Sequence, residues 1–185
     1  MLYLLIILLV IIDQTIKQII IRNVGLQESI PVIDGFFSIT HVKNTGGAFS
    51  FLSDQGWGIY FLASMSLVIS MILIVVIFKL RNKNMFWIRL AATVLASGSI
   101  GNMIDRFAYQ SVVDFLMFDF GRFTFPIFNF ADMCIVVGSF SLAILLLFDR
   151  RFMKDSDTSN EDGPDDRKSD ADGPDIETTT SDEVL

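Results

Sequence analysis

The chain has 185 residues, 52% of them hydrophobic, and a mean hydropathy of +0.54, too apolar for an ordinary soluble domain. Its net charge of −7 is unevenly placed: residues 155–185 hold twelve acids and two bases, residues 1–154 nine acids and twelve bases. One cysteine excludes an internal disulfide, one cysteine with one histidine is a poor ligand set for zinc, and no basic, aromatic-rich stretch suggests a nucleic-acid partner.

Four segments are apolar enough to span a bilayer, which takes roughly 20 residues. The first, from about Met1 to Ile21, has neither the positive flank nor the small-residue cleavage site of a signal peptide. It contains Asp13 and Lys17, four residues apart and so on one helix face, where they can pair. "SIPVIDGFFSITHV" then places two β-prone runs around Asp34-Gly35, a hairpin signal. In "KNTGGAFSFLSDQGWGIY", Phe49, Phe51, Leu52, Trp57 and Tyr60 suit the headgroup layer. The second segment, Ile59–Phe78, carries no charge; the third runs from about Met85 to Phe107 and the fourth from about Asn129 to Phe148. The short basic stretches "KLRNKN" and "DRRFMK" after the second and fourth segments are expected to be cytoplasmic. That puts both termini inside and connections 22–58 and 108–128 outside. Residues 155–185 have almost no large apolar residue and twice read "DGPD"; such a tail cannot bury enough surface to fold and is expected to be disordered.

The depth of each acid follows from the helical rise. At ~1.5 Å per residue, Asp105 lies about 30 Å above Met85 and Asp132 about 27 Å above Arg150, so both reach the outer edge. Asp114 falls in the outer 108–128 connection. Asn102, Asp105 and Arg106 share one helix face, and Asn129 and Asp132 another. Two carboxylates in one apolar site cannot both ionise, and such a pair hydrolyses amides: one activates water and the other, protonated, polarises the carbonyl. On these grounds Asp105 and Asp114 are both eligible partners for Asp132. A His41–Cys134 thiol site is disfavoured, because nothing places those two residues together. A transporter is the rival reading, since intramembrane acids often mark ion paths; here, however, the acids share one level and no polar ladder crosses the second segment.

"IIDQTIK", "KNTGGAFSFL", "GSIGNMIDR", "SVVDF" and "FNFAD" come in the order and approximate spacing of lipoprotein signal peptidases (signal peptidase II), and residues 1–150 resemble that family. The resemblance implies an all-α membrane protein with four transmembrane helices, a small extracytoplasmic β-cradle at about 24–50 and a short interfacial helix, residues 1–154 forming the peptidase domain. It implies an aspartyl endopeptidase of the bacterial cytoplasmic membrane, needing no cofactor or metal. This enzyme removes signal peptides from diacylglyceryl-modified prolipoproteins, cutting before the lipidated cysteine, and is blocked by globomycin-type inhibitors. Matching motifs residue by residue, the catalytic pair is Asp114 and Asp132. Asp13, Lys17, Asn44, Asn102, Asp105, Arg106, Asn129 and Ala131 match supporting or substrate-binding positions. Asp105 is expected to pair structurally with the neighbouring Arg106. Gly47 stands where the family often has alanine.

Overall fold

The computed structural model describes residues 1–46, 57–82 and 85–148. In chain order these form α1 (Leu2–Asn23), β1 (Ser29–Ile33), β2 (Phe37–Asn44), α2 (Gly58–Lys79) with a 3-10 turn at Leu80–Asn82, α3 (Phe86–Tyr109), β3 (Val112–Phe118) and α4 (Phe130–Phe148). The aromatic positions 49–52, the interfacial helix expected near them, the basic stretch 150–154 and the acidic residues 155–185 lie outside the described residues.

Helices α1, α2 and α4 are long and apolar enough to cross a membrane. Their large side chains face outward: Leu4, Ile7 and Leu8 on α1, Val68, Ile72 and Val75 on α2, and Val137, Phe140 and Ile144 on α4 are all exposed. So much exposed apolar surface needs a lipid partner. Helix α3 is more polar because it is the central one, packed against the other three. Its Ala92, Ala96, Ser97, Asn102 and Asp105 are buried. Ile6, Leu73, Ile77, Ala92 and Ala96 join α1, α2 and α3 in one apolar cluster.

The α3–α4 seam is set by glycine. A β-carbon on Gly138 would lie 2.5 Å from the Leu95 nitrogen, and one on Gly98 would collide with the Ala131 carbonyl. The missing side chains let the two backbones approach, the usual device where helices meet without a water-driven hydrophobic effect.

The hairpin turns at Asp34-Gly35 as its sequence predicts, with Gly35 at φ +70 and the Phe36 N–H bonded to the Ile33 carbonyl at 3.0 Å. The sheet does not stop there. β3 pairs antiparallel with β2, Val42 opposite Asp114 and Asn44 opposite Val112, giving the order β1-β2-β3. The stretch 112–118, read from sequence as part of a connection, is thus a full strand. Two residues join it to α3, whose end is closed by Gln110 in the left-handed region (φ 52), its N–H on the Arg106 carbonyl. The turn is tight enough to bring Asp114 back over the end of α3.

Candidate active site

α4 begins with a reciprocal cap. The Asn129 side-chain oxygen accepts the Asp132 N–H at 2.9 Å, and Asp132 Oδ2 accepts the Asn129 N–H at 3.1 Å. This is a capping box in which Asn and Asp take the usual Ser/Thr and Glu places. It locks the Asp132 carboxyl into the first turn, at the positive end of the helix. The Asn129 side-chain amide meanwhile donates to Asp114 Oδ1 at 2.6 Å. One buried residue therefore holds both acids.

The remaining oxygens are held too. Asp132 Oδ1 accepts from the Asn102 amide at 2.7 Å, and Asp114 Oδ2 from the Asn44 amide at 2.9 Å. Burial, and then the nearby Asp132 charge, push the Asp114 carboxyl up to about 7, against the pull of the Asn44 and Asn129 amides. A carboxyl on β3 that is 3% exposed thus holds a proton near neutrality, beside an acid that accepts two hydrogen bonds.

Beneath this pair lies an ion cluster. Lys17 Nζ is 2.9 Å from Asp13 Oδ2, 2.9 Å from Asp105 Oδ2 and 3.0 Å from Asn102 Oδ1, so its three protons have three acceptors. The Asp13–Lys17 pair is the one their spacing suggests. Asp105 departs from expectation: its ion pair is with Lys17 on α1, not with Arg106. The reason is direction, since Asp105 faces inward at 0% exposure, whereas the Arg106 guanidinium donates to the Asn102 and Gly46 carbonyls at 3.4 and 3.5 Å. Asp105 Oδ2 also accepts the Val113 N–H at 3.2 Å, fixing the strand one residue before Asp114. Asp13 Oδ1 accepts the Ala131 N–H at 3.0 Å, a second cap on α4. Ala131 is fully buried, and a β-carbon on Gly101 would lie 2.5 Å from Asp13 Oδ2 and 3.3 Å from the Ala131 β-carbon, so position 101 has no room for a side chain.

Every residue singled out for the site lies in this one network, at the end of α3 and the start of α4. His41 and Cys134 are elsewhere engaged: His41 Nδ1 donates to the Val24 carbonyl at 2.9 Å, and buried Cys134 packs in the α3–α4 seam beside Gly98. Gln14 is a member that motif matching passed over. Its amide donates to Asp105 Oδ1 at 2.9 Å and to the Gly101 carbonyl and Asp13 Oδ2 at 3.2 Å each. Its place three residues before Lys17, on the same helix face, is the signal that finds it.

The model of the family described as signal peptidase (SPase) II matches residues 5–148. The lipoprotein signal peptidase of Bacillus pumilus is 38% identical over 156 residues, 84% of this chain and 98% of its own length. That of Geobacter sulfurreducens is 41% identical over 144 residues, 76% and 88% of the two chains. Among solved structures, a bacterial membrane enzyme superposes with a TM-score of 0.68 at 30% identity, covering 88% of this chain and 93% of that one.

Proposed function

The chain belongs to the signal peptidase II family and removes signal peptides from prolipoproteins, and from that premise we propose that it is an aspartic endopeptidase with Asp114 and Asp132 as its catalytic pair. The observation that carries the reading is Asn129, whose side-chain amide and backbone N–H donate one to each acid. In the proposed cycle Asp132, ionised, takes a proton from water as it attacks the scissile carbonyl. Asp114 gives its proton to the carbonyl oxygen. Collapse of the tetrahedral intermediate then returns one proton to the leaving amine and leaves one on the pair, as at the start. No covalent enzyme intermediate is needed. Asn44, Asn102 and Asn129 keep the acids oriented, while Asp13, Lys17 and Asp105 hold the helices beneath them. Arg106 places a positive charge at the edge of the pair.

The substrate in this reading is a prolipoprotein whose cysteine carries diacylglycerol, cut before that cysteine. With Asp132 at the end of a membrane-crossing helix, the lipid can stay in the leaflet while the peptide reaches the acids. Purified enzyme is expected to cleave a diacylglyceryl-modified precursor, to be blocked by globomycin, and to cleave the unmodified precursor very poorly. Equal rates with and without the lipid would overturn the substrate assignment.

The same reading makes α3 the fourth membrane span. It puts both termini in the cytoplasm, the sheet and the acids on the outer face of the cytoplasmic membrane, and residues 155–185 in an acidic cytoplasmic tail beyond a 1–154 peptidase domain. The basic residues Lys79, Arg81 and Lys83 between α2 and α3 support it. A reporter fused after Lys83 should read cytoplasmic and one inserted near Asp54 extracytoplasmic; the reverse pattern would turn the site inward and sink the topology.

A further inference from the structure

Resting on the Asp114–Asp132 reading, we propose that Gln14 is a positioning residue of the peptidase, acting on Asp132 through Lys17 and Asn102 and on Asp114 through Asp105 and the Val113 N–H. The argument is one of donors and acceptors. Asp105 has no exposure to solvent. Its Oδ2 is served by Lys17 and the Val113 N–H, whereas the donor to its Oδ1 among the described residues is the Gln14 amide. All three protons of Lys17 are already committed to Asp13, Asp105 and Asn102. Without the Gln14 amide, a buried carboxylate oxygen loses its donor, and buried acceptors are costly to leave unmet.

The readiest repair is for Lys17 to straddle both oxygens of Asp105, and that movement releases Asn102. Asn102 is now fixed in one amide orientation: its oxygen accepts from Lys17 and from the Asn129 amide at 3.2 Å, so its nitrogen must face Asp132. With Lys17 withdrawn, one of the two bonds that enforce this orientation is gone, and the Asn102 amide is free to turn from Asp132. The second path is shorter. A shift of Asp105 loosens the bond to the Val113 N–H, and Asp114 is the next residue of β3. Gln14 itself touches neither acid of the pair, so it acts on them through these neighbours and not by contact.

The test compares Gln14→Leu, Gln14→Met, Thr15→Val and Asp114→Asn in full-length enzyme with a diacylglyceryl-modified precursor, measuring kcat, KM and thermal unfolding. Thr15 is the neighbouring exposed residue of α1 and serves as control. Both Gln14 variants should lose about 10- to 100-fold in kcat, the scale of a displaced catalytic group, with KM nearly unchanged and the unfolding temperature modestly lowered by the unmet Asp105 oxygen; Thr15→Val should match the wild type. Unaltered kcat, or a raised KM at constant kcat, would overturn the proposal. Failure of both Gln14 variants to yield folded enzyme would assign the residue to structure alone and overturn it as well. An inactive Asp114→Asn beside fully active Gln14 variants would remove only this inference, whereas an active Asp114→Asn would remove the catalytic pair on which it rests.

Discussion

Asp114→Asn and Asp132→Asn are each expected to reduce cleavage by about 10²- to 10⁴-fold, the usual worth of a positioned general acid or base. The double variant should be little worse than either, because residues that act as a unit are not additive. The geometry makes this a clean experiment. Each acid accepts two hydrogen bonds, Asp114 from Asn44 and Asn129 and Asp132 from Asn102 and the Asn129 N–H. An asparagine keeps one acceptor oxygen at either site but turns an NH2 toward the other donor, a cost of about 1–3 kcal/mol that folded protein should survive. Asp105→Asn is the contrast: it weakens the ion pair with Lys17 and should lower yield together with activity.

The acid assigned to Asp114 also predicts a pH profile. Its carboxyl is raised to about 7 by burial and by the Asp132 charge, and the protonated form is the working one. Cleavage should therefore be present below that point and fall as the pH rises through it, when both acids become charged. A rate that keeps climbing well above pH 7 would reverse the roles or remove them.

What was legible in the sequence follows from what is local. The second apolar run was expected at Ile59–Phe78 and the helix is Gly58–Lys79, because bilayer thickness fixes the length of such a run. Asp13 and Lys17 announced their pair by spacing alone. Counting the helical rise brought Asp105 and Asp132 to one level, since a helix is a rod of known pitch, and left Asp114 in the connection between them. The non-local half was hidden. "VVDFLMF" becomes a strand only because β2, about 70 residues earlier in the chain, offers an edge, and nothing in its own pattern names that edge. Lys17 reaches Asp105 only because α1 packs on α3, while the adjacent Arg106 looked the nearer partner. The Asn129–Asp132 cap was readable as an N-x-x-D before an apolar run; the donation of the same asparagine to Asp114 was not.

Lys17→Met should separate membrane insertion from assembly. Removing the charge from α1 eases insertion, by less than the roughly 2.5–3.5 kcal/mol of a mid-membrane charge because Lys17 lies near the end of the helix, so the protein should reach the membrane at least as well as the wild type. Packing then fails for a different reason. Lys17 is 1% exposed, and the carboxylates of Asp13 and Asp105 both lie 2.9 Å from its nitrogen. Without it two buried acids face one another, and breaking a buried ion pair costs about 3–5 kcal/mol, of the order of a marginal domain's whole stability. Asp13 would also relax its hold on the Ala131 N–H, loosening the start of α4 at the residue before Asp132. The expected result is inserted protein with a sharply lowered unfolding temperature and no turnover. Adding Asp13→Asn and Asp105→Asn removes the stranded charges, so the triple variant should regain thermal stability. It should not regain activity, because the orientation of Asn102 is still lost. Wild-type unfolding and turnover in Lys17→Met would show that the cluster supports neither the fold nor the site.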